Sequence, residues 1–434
     1  MASALAVGLT LSACSSSETT DGTERTDNTA SANSTATSAA ATTEASASTA
    51  SASDATTTRA TVQSTAEAAQ AFLSTLSEEQ RSTVLRDYED EDKSVTWSNF
   101  PVTFVERAGV NLKDLSDEQR AAAMNVLKAL LNDDAYATVT GIMVGDEYLL
   151  DKSNTTEDSL GQYYIAFYGD PSDTEAWTLQ FGGHHLGLNA TMDADSLTFA
   201  PTHLGTQPTE WVNKQGQTIK TMDKTYTTAF AFYDSLSEEQ RSKLYQGQQV
   251  GTMVCAPGGT CDYPTGTGLK GSDLTEEQRD LLIDVVANWV GMADEETTTA
   301  QLDAIRATLD ETYVNWSGAT SYDDTTTGEG IYFQISGPRV YIDFANQHGS
   351  AGADIEGVTT AGWGHVHTIY RDPSNDYANS VEQQEASGPG GGAPGGSGTP
   401  GGPGQAGGRG AMGAPGDGGT PPAGAPSGEA PERP

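Results

Sequence analysis

Apolar and polar positions alternate along this chain in two rhythms, and each rhythm occurs twice. Leu76-Ser77-Glu78-Glu79-Gln80-Arg81 recurs as Leu236-Ser237-Glu238-Glu239-Gln240-Arg241, and Leu115-Ser116-Asp117-Glu118-Gln119-Arg120 as Leu274-Thr275-Glu276-Glu277-Gln278-Arg279. Each hexapeptide predicts a helix start. The Ser or Thr caps exposed backbone N–H groups, the Gln three residues on reaches back, and the acids favour the positive end of the dipole. Behind the second start, Met124, Leu127, Leu130 and Leu131 follow at helical spacing, as do Leu281, Leu282, Val285, Val286 and Trp289 in the later copy.

The strand rhythm is doubled too. Trp177–Phe181, Gly182-Gly183-His184-His185 and Leu186–Asn189 read as two strands around a glycine turn. Ile331–Ile335, Ser336-Gly337-Pro338-Arg339 and Val340–Phe344 read the same way, and Tyr164 with Gly169 echoes Tyr313 with Gly318. The expected fold class is therefore α+β. Two internally repeated units are expected, 62–222 and 223–384, each with capped helices followed by an antiparallel β-hairpin sheet. The matched turns differ: His184-His185 in one copy stands against Pro338-Arg339 in the other.

The ends carry another pattern. Residues 1–14 are small and apolar up to Leu11-Ser12-Ala13-Cys14, similar to a bacterial lipoprotein signal with Cys14 as the lipidation site. No Lys or Arg precedes that apolar stretch. Residues 15–61 lack Leu, Ile, Val, Met and aromatics up to Thr61 and read as a disordered Ser/Thr/Ala spacer. Residues 385–434, dominated by Gly and Pro, read as a disordered tail. The expected location is the outer face of the bacterial cell membrane, with an N-terminal lipid anchor as the membrane contact. Cys255 and Cys261, flanking a turn-rich loop, are expected to form a disulfide in such a compartment.

Charge narrows the partners. Of 434 residues, 60 are Asp or Glu and 22 Lys or Arg, a formal net charge of −38. That balance excludes nucleic acid, whose phosphates require clustered bases. A phosphate-binding Gly loop, a dinucleotide fingerprint and a Gly-x-Ser-x-Gly elbow are all missing, so no nucleotide and no ordinary serine hydrolase chemistry is expected.

Chemistry concentrates on few histidines. His365-Val366-His367 places two imidazoles on one side of a strand, a common start for a metal site, and His184 or His185 would complete the set. The plain alternative is imidazoles bonded to main-chain carbonyls. Arg371 and Asp372 follow at once: as catalytic groups, Arg371 would clamp substrate and Asp372 act as base, and otherwise they form a salt-bridged turn. Glu210 and Asp343 are further candidate oxygen ligands.

Trp97…Asn99-Phe100-Pro101, Arg107-Ala108-Gly109, Tyr164…Phe167-Tyr168-Gly169-Asp170-Pro171, Trp177…Phe181-Gly182-Gly183-His184-His185-Leu186, Gly337-Pro338 and His365-Val366-His367-Thr368…Arg371-Asp372-Pro373…Asn375-Asp376-Tyr377 occur in that order. Together they resemble the bacterial proteins grouped as domain of unknown function 3500 (DUF3500), over roughly residues 65–380. The resemblance implies an exported protein and no established activity. After Ala378 the chain departs from that pattern. Two functions fit: a metal-dependent hydrolase of the cell envelope using a divalent ion such as zinc, or a non-catalytic surface module binding a small molecule or a surface partner.

Overall fold

All four capped starts open helices in the computed structural model, which describes residues 57–155, 160–245, 250–251, 253, 266–322, 330–348 and 354–381. Ser77, Ser116, Ser237 and Thr275 each accept from the backbone N–H of the Gln three residues on, whose side chain returns to the cap. Losing one such cap costs about 1 kcal/mol. The helices are α1 (Thr58–Thr75), α2 (Glu78–Val84), α3 (Asp117–Leu130), α4 (Asp133–Lys152), α5 (Asp223–Ser235), α6 (Glu238–Leu244), α7 (Glu276–Val290) and α8 (Glu295–Arg306). Helix α1 packs on α3, and α5 on α7.

Helix α1 begins inside the stretch that composition assigns to the spacer. Its buried side chains include Thr58, Thr61 and Thr65. They find partners rather than water: Thr61 Oγ1 donates to Asp294 Oδ2 at 2.9 Å, and Thr58 Oγ1 meets Thr297 Oγ1 at 2.8 Å. Hydroxyl pairing lets a segment poor in apolar residues dock against α8.

The strands are β1 (Leu85–Arg86), β2 (Val110–Asn111), β3 (Tyr164–Tyr168), β4 (Trp177–Gly182), β5 (Leu186–Asp193), β6 (Ser196–Thr198) and β7 (Thr202–Thr206). They continue with β8 (Glu210–Val212), β9 (Thr218–Lys220), β10 (Leu269–Lys270), β11 (Tyr313–Gly318), β12 (Ile331–Ser336), β13 (Tyr341–Gln347) and β14 (Gly362–Arg371). Instead of separate hairpin sheets, the described residues form one twelve-stranded sheet, with β8 and β9 pairing apart from it. Its order is β1-β3-β4-β5-β7-β14-β13-β12-β11-β10, with β2 on β3 and β6 on β5. The expected hairpins β4–β5 and β12–β13 lie within it, both antiparallel. The joint is β7 against β14, from Thr206 opposite Val366 to Thr202 opposite Tyr370. That pairing satisfies two edges that hairpin sheets would leave open.

All ten residues of β14 are buried. Val366 and Tyr370 belong to the main core with Leu127, Leu282, Val286 and Trp289 of the helices. Trp289 Nε1 donates to Thr368 Oγ1 at 2.9 Å, fastening α7 to this strand. The alternate positions turn the other way: Ile369 packs with Trp97, Tyr341 and Tyr377. A strand covered on both faces reads as continuous burial, which hides its polar residues from any amphipathic pattern.

The expected Cys255–Cys261 disulfide is corrected here. No disulfide occurs among the described residues, and both cysteines lie outside them, as does Cys14. Compartment and spacing favour pairing in general, but they do not bring two sulfurs into bonding geometry.

Candidate metal centre

Three neighbouring strands at the middle of the sheet, β5, β7 and β14, gather five of the six histidines. His184 and His185 occupy the tight connection between β4 and β5. The glycines before them are needed there: a Cβ on Gly182 would lie 2.1 Å from the Leu186 carbonyl oxygen, and one on Gly183 would lie 2.4 Å from that of Gln162. His203 sits on β7, and His365 and His367 on β14.

His365 Nε2 lies 3.3 Å from His185 Nε2 and 3.1 Å from His367 Nε2. The His184 and His185 rings stack 4.3 Å apart at 11°. One ring nitrogen from each of His184, His185 and His367 falls within 4.8 Å of the others, so the three are positioned to coordinate a divalent metal ion. At the about 2.0–2.1 Å of a zinc–imidazole bond, tetrahedral ligand nitrogens stand about 3.3 Å apart. The His185–His365–His367 separations match that edge.

Hydrogen bonding sets which nitrogens face inward. His185 Nδ1 meets Asp146 Oδ1 at 2.5 Å, and Tyr163 OH donates to Asp146 Oδ2 at 2.7 Å. With its proton on Nδ1, His185 turns a lone pair toward His365. A carboxylate behind an imidazole is the usual support of a metal-ligating histidine. Asn99 Nδ2 lies 3.3 Å from His367 Nδ1, while Asn99 Oδ1 is buried without a partner. Exchanging the amide oxygen and nitrogen, a half-turn that leaves the side chain's shape unchanged, lets Oδ1 accept from Nδ1–H and frees the lone pair on His367 Nε2. His184 Nδ1 is likewise buried with no partner, an atom whose cost a cation would remove.

Charge state follows from burial. His184, His185, His365 and His367 are at most 6% exposed. Burial, then the neighbouring histidines, holds His184 and His367 well below the ordinary imidazole range. Burial lowers His185 to about 3 and His203 to about 4. It raises the Asp146 carboxyl to about 6, against the pull of Tyr163. At neutral pH His184, His185 and His367 are thus uncharged imidazoles backed by a carboxylate, the donor set that borderline metals take.

His203 plays the plainer part. Its Nδ1 donates to the Thr368 carbonyl at 2.7 Å, tying β7 to β14 beneath His367. The cover is the segment from Trp97 to Arg107. The Arg107 guanidinium, buried and lowered to about 10 by that burial, donates to the carbonyls of Ser98 (2.7 Å), Phe100 (2.6 Å) and Gly183 (2.9 Å). It clips the Asn99 loop onto the His184-His185 turn.

Arg371 and Asp372 are placed elsewhere. Arg371 lies four residues beyond His367 on an extended strand, about 13 Å away. It pairs with Asp376 at 2.9 Å, and Asp372 pairs with Arg339 at 3.0 Å and accepts from Ser374. Asp343 accepts from Tyr341 OH, and Glu210 pairs with Lys220. The residues that sequence reading missed are Asp146 and Tyr163. Asp146 is one acid among sixty, on a helix with no motif around it; Asn99 stood in a loop recognisable only as aromatic and ordered.

No curated protein and no solved structure matches this chain. Residues 58–379, which include every residue of the histidine cluster and its supports, match the family model described as protein of unknown function (DUF3500). The chain belongs to the DUF3500 family.

Proposed function

We propose that this chain is a metal-dependent hydrolase, with a divalent ion such as zinc held by His184, His185, His365 and His367. The observation that carries the reading is the run of nitrogens from Asp146-supported His185 through His365 to His367, at 3.3 and 3.1 Å. Such an ion would supply Lewis acidity and bring the pKa of water toward about 7, the activation an ester, amide or lactone requires. Asp146 orients His185, Asn99 orients His367, and the Arg107-clipped loop keeps bulk water off the rings. Arg371 and Asp372 stabilise the far end of β14 in this reading.

The depth of burial supports a second reading, in which the centre binds metal without turnover, since closed sites are the structural ones. Elemental analysis of the purified chain, beside a His365→Ala/His367→Ala variant, tests both. The expected result is close to one equivalent of metal in the parent, none in the variant, and hydrolysis of an ester and lactone panel by the parent alone. A metal-free parent sinks both readings, and a metal-loaded but inactive parent leaves the second.

We further propose an exported protein anchored through a lipid on Cys14, supported by the Leu-Ser-Ala-Cys stretch alone. Metabolic labelling with an alkyne fatty acid, lost in Cys14→Ala, is the expected outcome. The two halves are proposed to be copies of one unit. The four matched capping boxes and the two matched antiparallel strand pairs support this.

A further inference from the structure

The β8–β9 hairpin, the start of α5, the later part of α4 and Trp363 of β14 line a cleft of about 330 Å³. That is the small end of the range for small-molecule sites, about 300–1,000 Å³. Its walls are aromatic. Tyr148 and Trp211 stack with centroids 5.0 Å apart at 29°, and Tyr226 and Tyr322 at 5.3 Å and 10°.

Polar groups of both kinds stand among the rings. Trp211 is 6% exposed, its Nε1 turned away from the cavity toward Gly145 of α4. Lys220 Nζ lies 3.1 Å from Glu210 Oε2, and Asp223 Oδ1 accepts from Tyr322 OH at 2.8 Å. Each carboxylate keeps further acceptor positions, since it offers about four lone-pair sites. The α5 start adds backbone donors, because Met222 at its N-cap makes no side-chain capping bond.

An anion would find Glu210 and Asp223 against it, and an organic cation would find Lys220. A neutral polyol matches the set: its hydroxyls donate to the carboxylates and accept from the ammonium. The C–H face of a sugar ring lies flat on an aromatic ring, whose apolar face and polar edge suit such a ligand. We infer that this cavity is a carbohydrate site for a neutral pyranose, separate from the histidine cluster.

The test is calorimetric titration of the full chain with glucose, galactose, N-acetylglucosamine and maltose, with choline chloride and sodium acetate as charged comparisons. Saturable binding of at least one sugar is expected, near one site per chain. Trp211→Ala should weaken it about tenfold or more by removing an aromatic wall. Asp223→Asn, half-buried at the start of α5 and able to keep the Tyr322 bond through its amide oxygen, should weaken it several-fold with an unchanged far-UV circular dichroism spectrum. His365→Ala/His367→Ala should leave it intact, which separates failure here from failure of the metal reading. The inference is overturned by absence of sugar binding, by sugar binding that both cavity variants retain, or by saturable choline or acetate binding in place of sugar.

Discussion

Asp146 of α4 and His185 of the β4–β5 turn, thirty-nine residues apart, meet at 2.5 Å with both side chains at 1% exposure or less. The contact decides which face of the imidazole is available, and through it the character of the whole cluster.

Asp146→Asn removes the charge and keeps the shape. Metal affinity should fall about 10–100-fold, the usual effect of losing such a support, while the far-UV circular dichroism stays unchanged. Competition against a chromophoric chelator measures it. Asp146→Leu goes further, stranding the Tyr163 hydroxyl, and should cost about 1–3 kcal/mol in urea unfolding.

Acid should loosen the metal-free protein. His184, His185, His203 and His367 all have folded pKa values below the ordinary imidazole value. Between that value and about 3–4 the unfolded chain binds protons that the native chain refuses, so stability present above it is lost as pH falls. Asp146 and Asp376, each raised to about 6 by burial, work in the opposite direction but are two groups against four. Thermal melts in the presence of chelator should therefore drop steadily below neutrality. Added zinc should shift that decline to lower pH, since metal competes with the protons.

The alkaline side has its own marker. Lys93 is fully buried; its ammonium sits 2.9 Å from Ser380 Oγ and over the Tyr88 ring, and burial lowers it to about 8. Above that pH the unfolded chain keeps a proton that the native chain has shed, so stability should rise with pH until the tyrosines begin to ionise. Urea unfolding at pH 7.5 and 9.5 should show the increase, and Lys93→Met should abolish it.

Much of the scaffold was legible because it is written locally. A Ser or Thr followed by Gln at three residues states its own helix start, and His365-Val366-His367 states its own shared side. Other features depend on distant partners. Asp146 is indistinguishable along the chain from acids that merely face water. The α1 threonines look like spacer until Asp294 and Thr297 are seen beside them. The β7–β14 pairing joins strands 160 or more residues apart, and no local pattern records it. The disulfide expectation failed from the same cause, a compartment argument used where only geometry decides.

The caps also interlock. Gln278 Nε2 donates to Ser235 O and Gln240 Oε1, each at 2.9 Å, while Gln240 Nε2 donates back to Gln278 Oε1 at 2.8 Å. Gln278→Ala removes a cap and both bridges between α6 and α7, and should destabilise by about 2 kcal/mol. Gln119→Ala, which severs the matching bond to Gln80 at 3.0 Å, should behave alike. Chemical denaturation compares the two.

The ligand nitrogens come from the β4–β5 turn and from β14, the last strand of the sheet to leave the ribosome. Until that strand has been synthesised and docked, only the β4–β5 turn of the cluster has been made. Uptake of an ion there would thereby be postponed to the end of folding. The milieu in which the polypeptide completes itself, rather than the one in which its synthesis begins, would supply it.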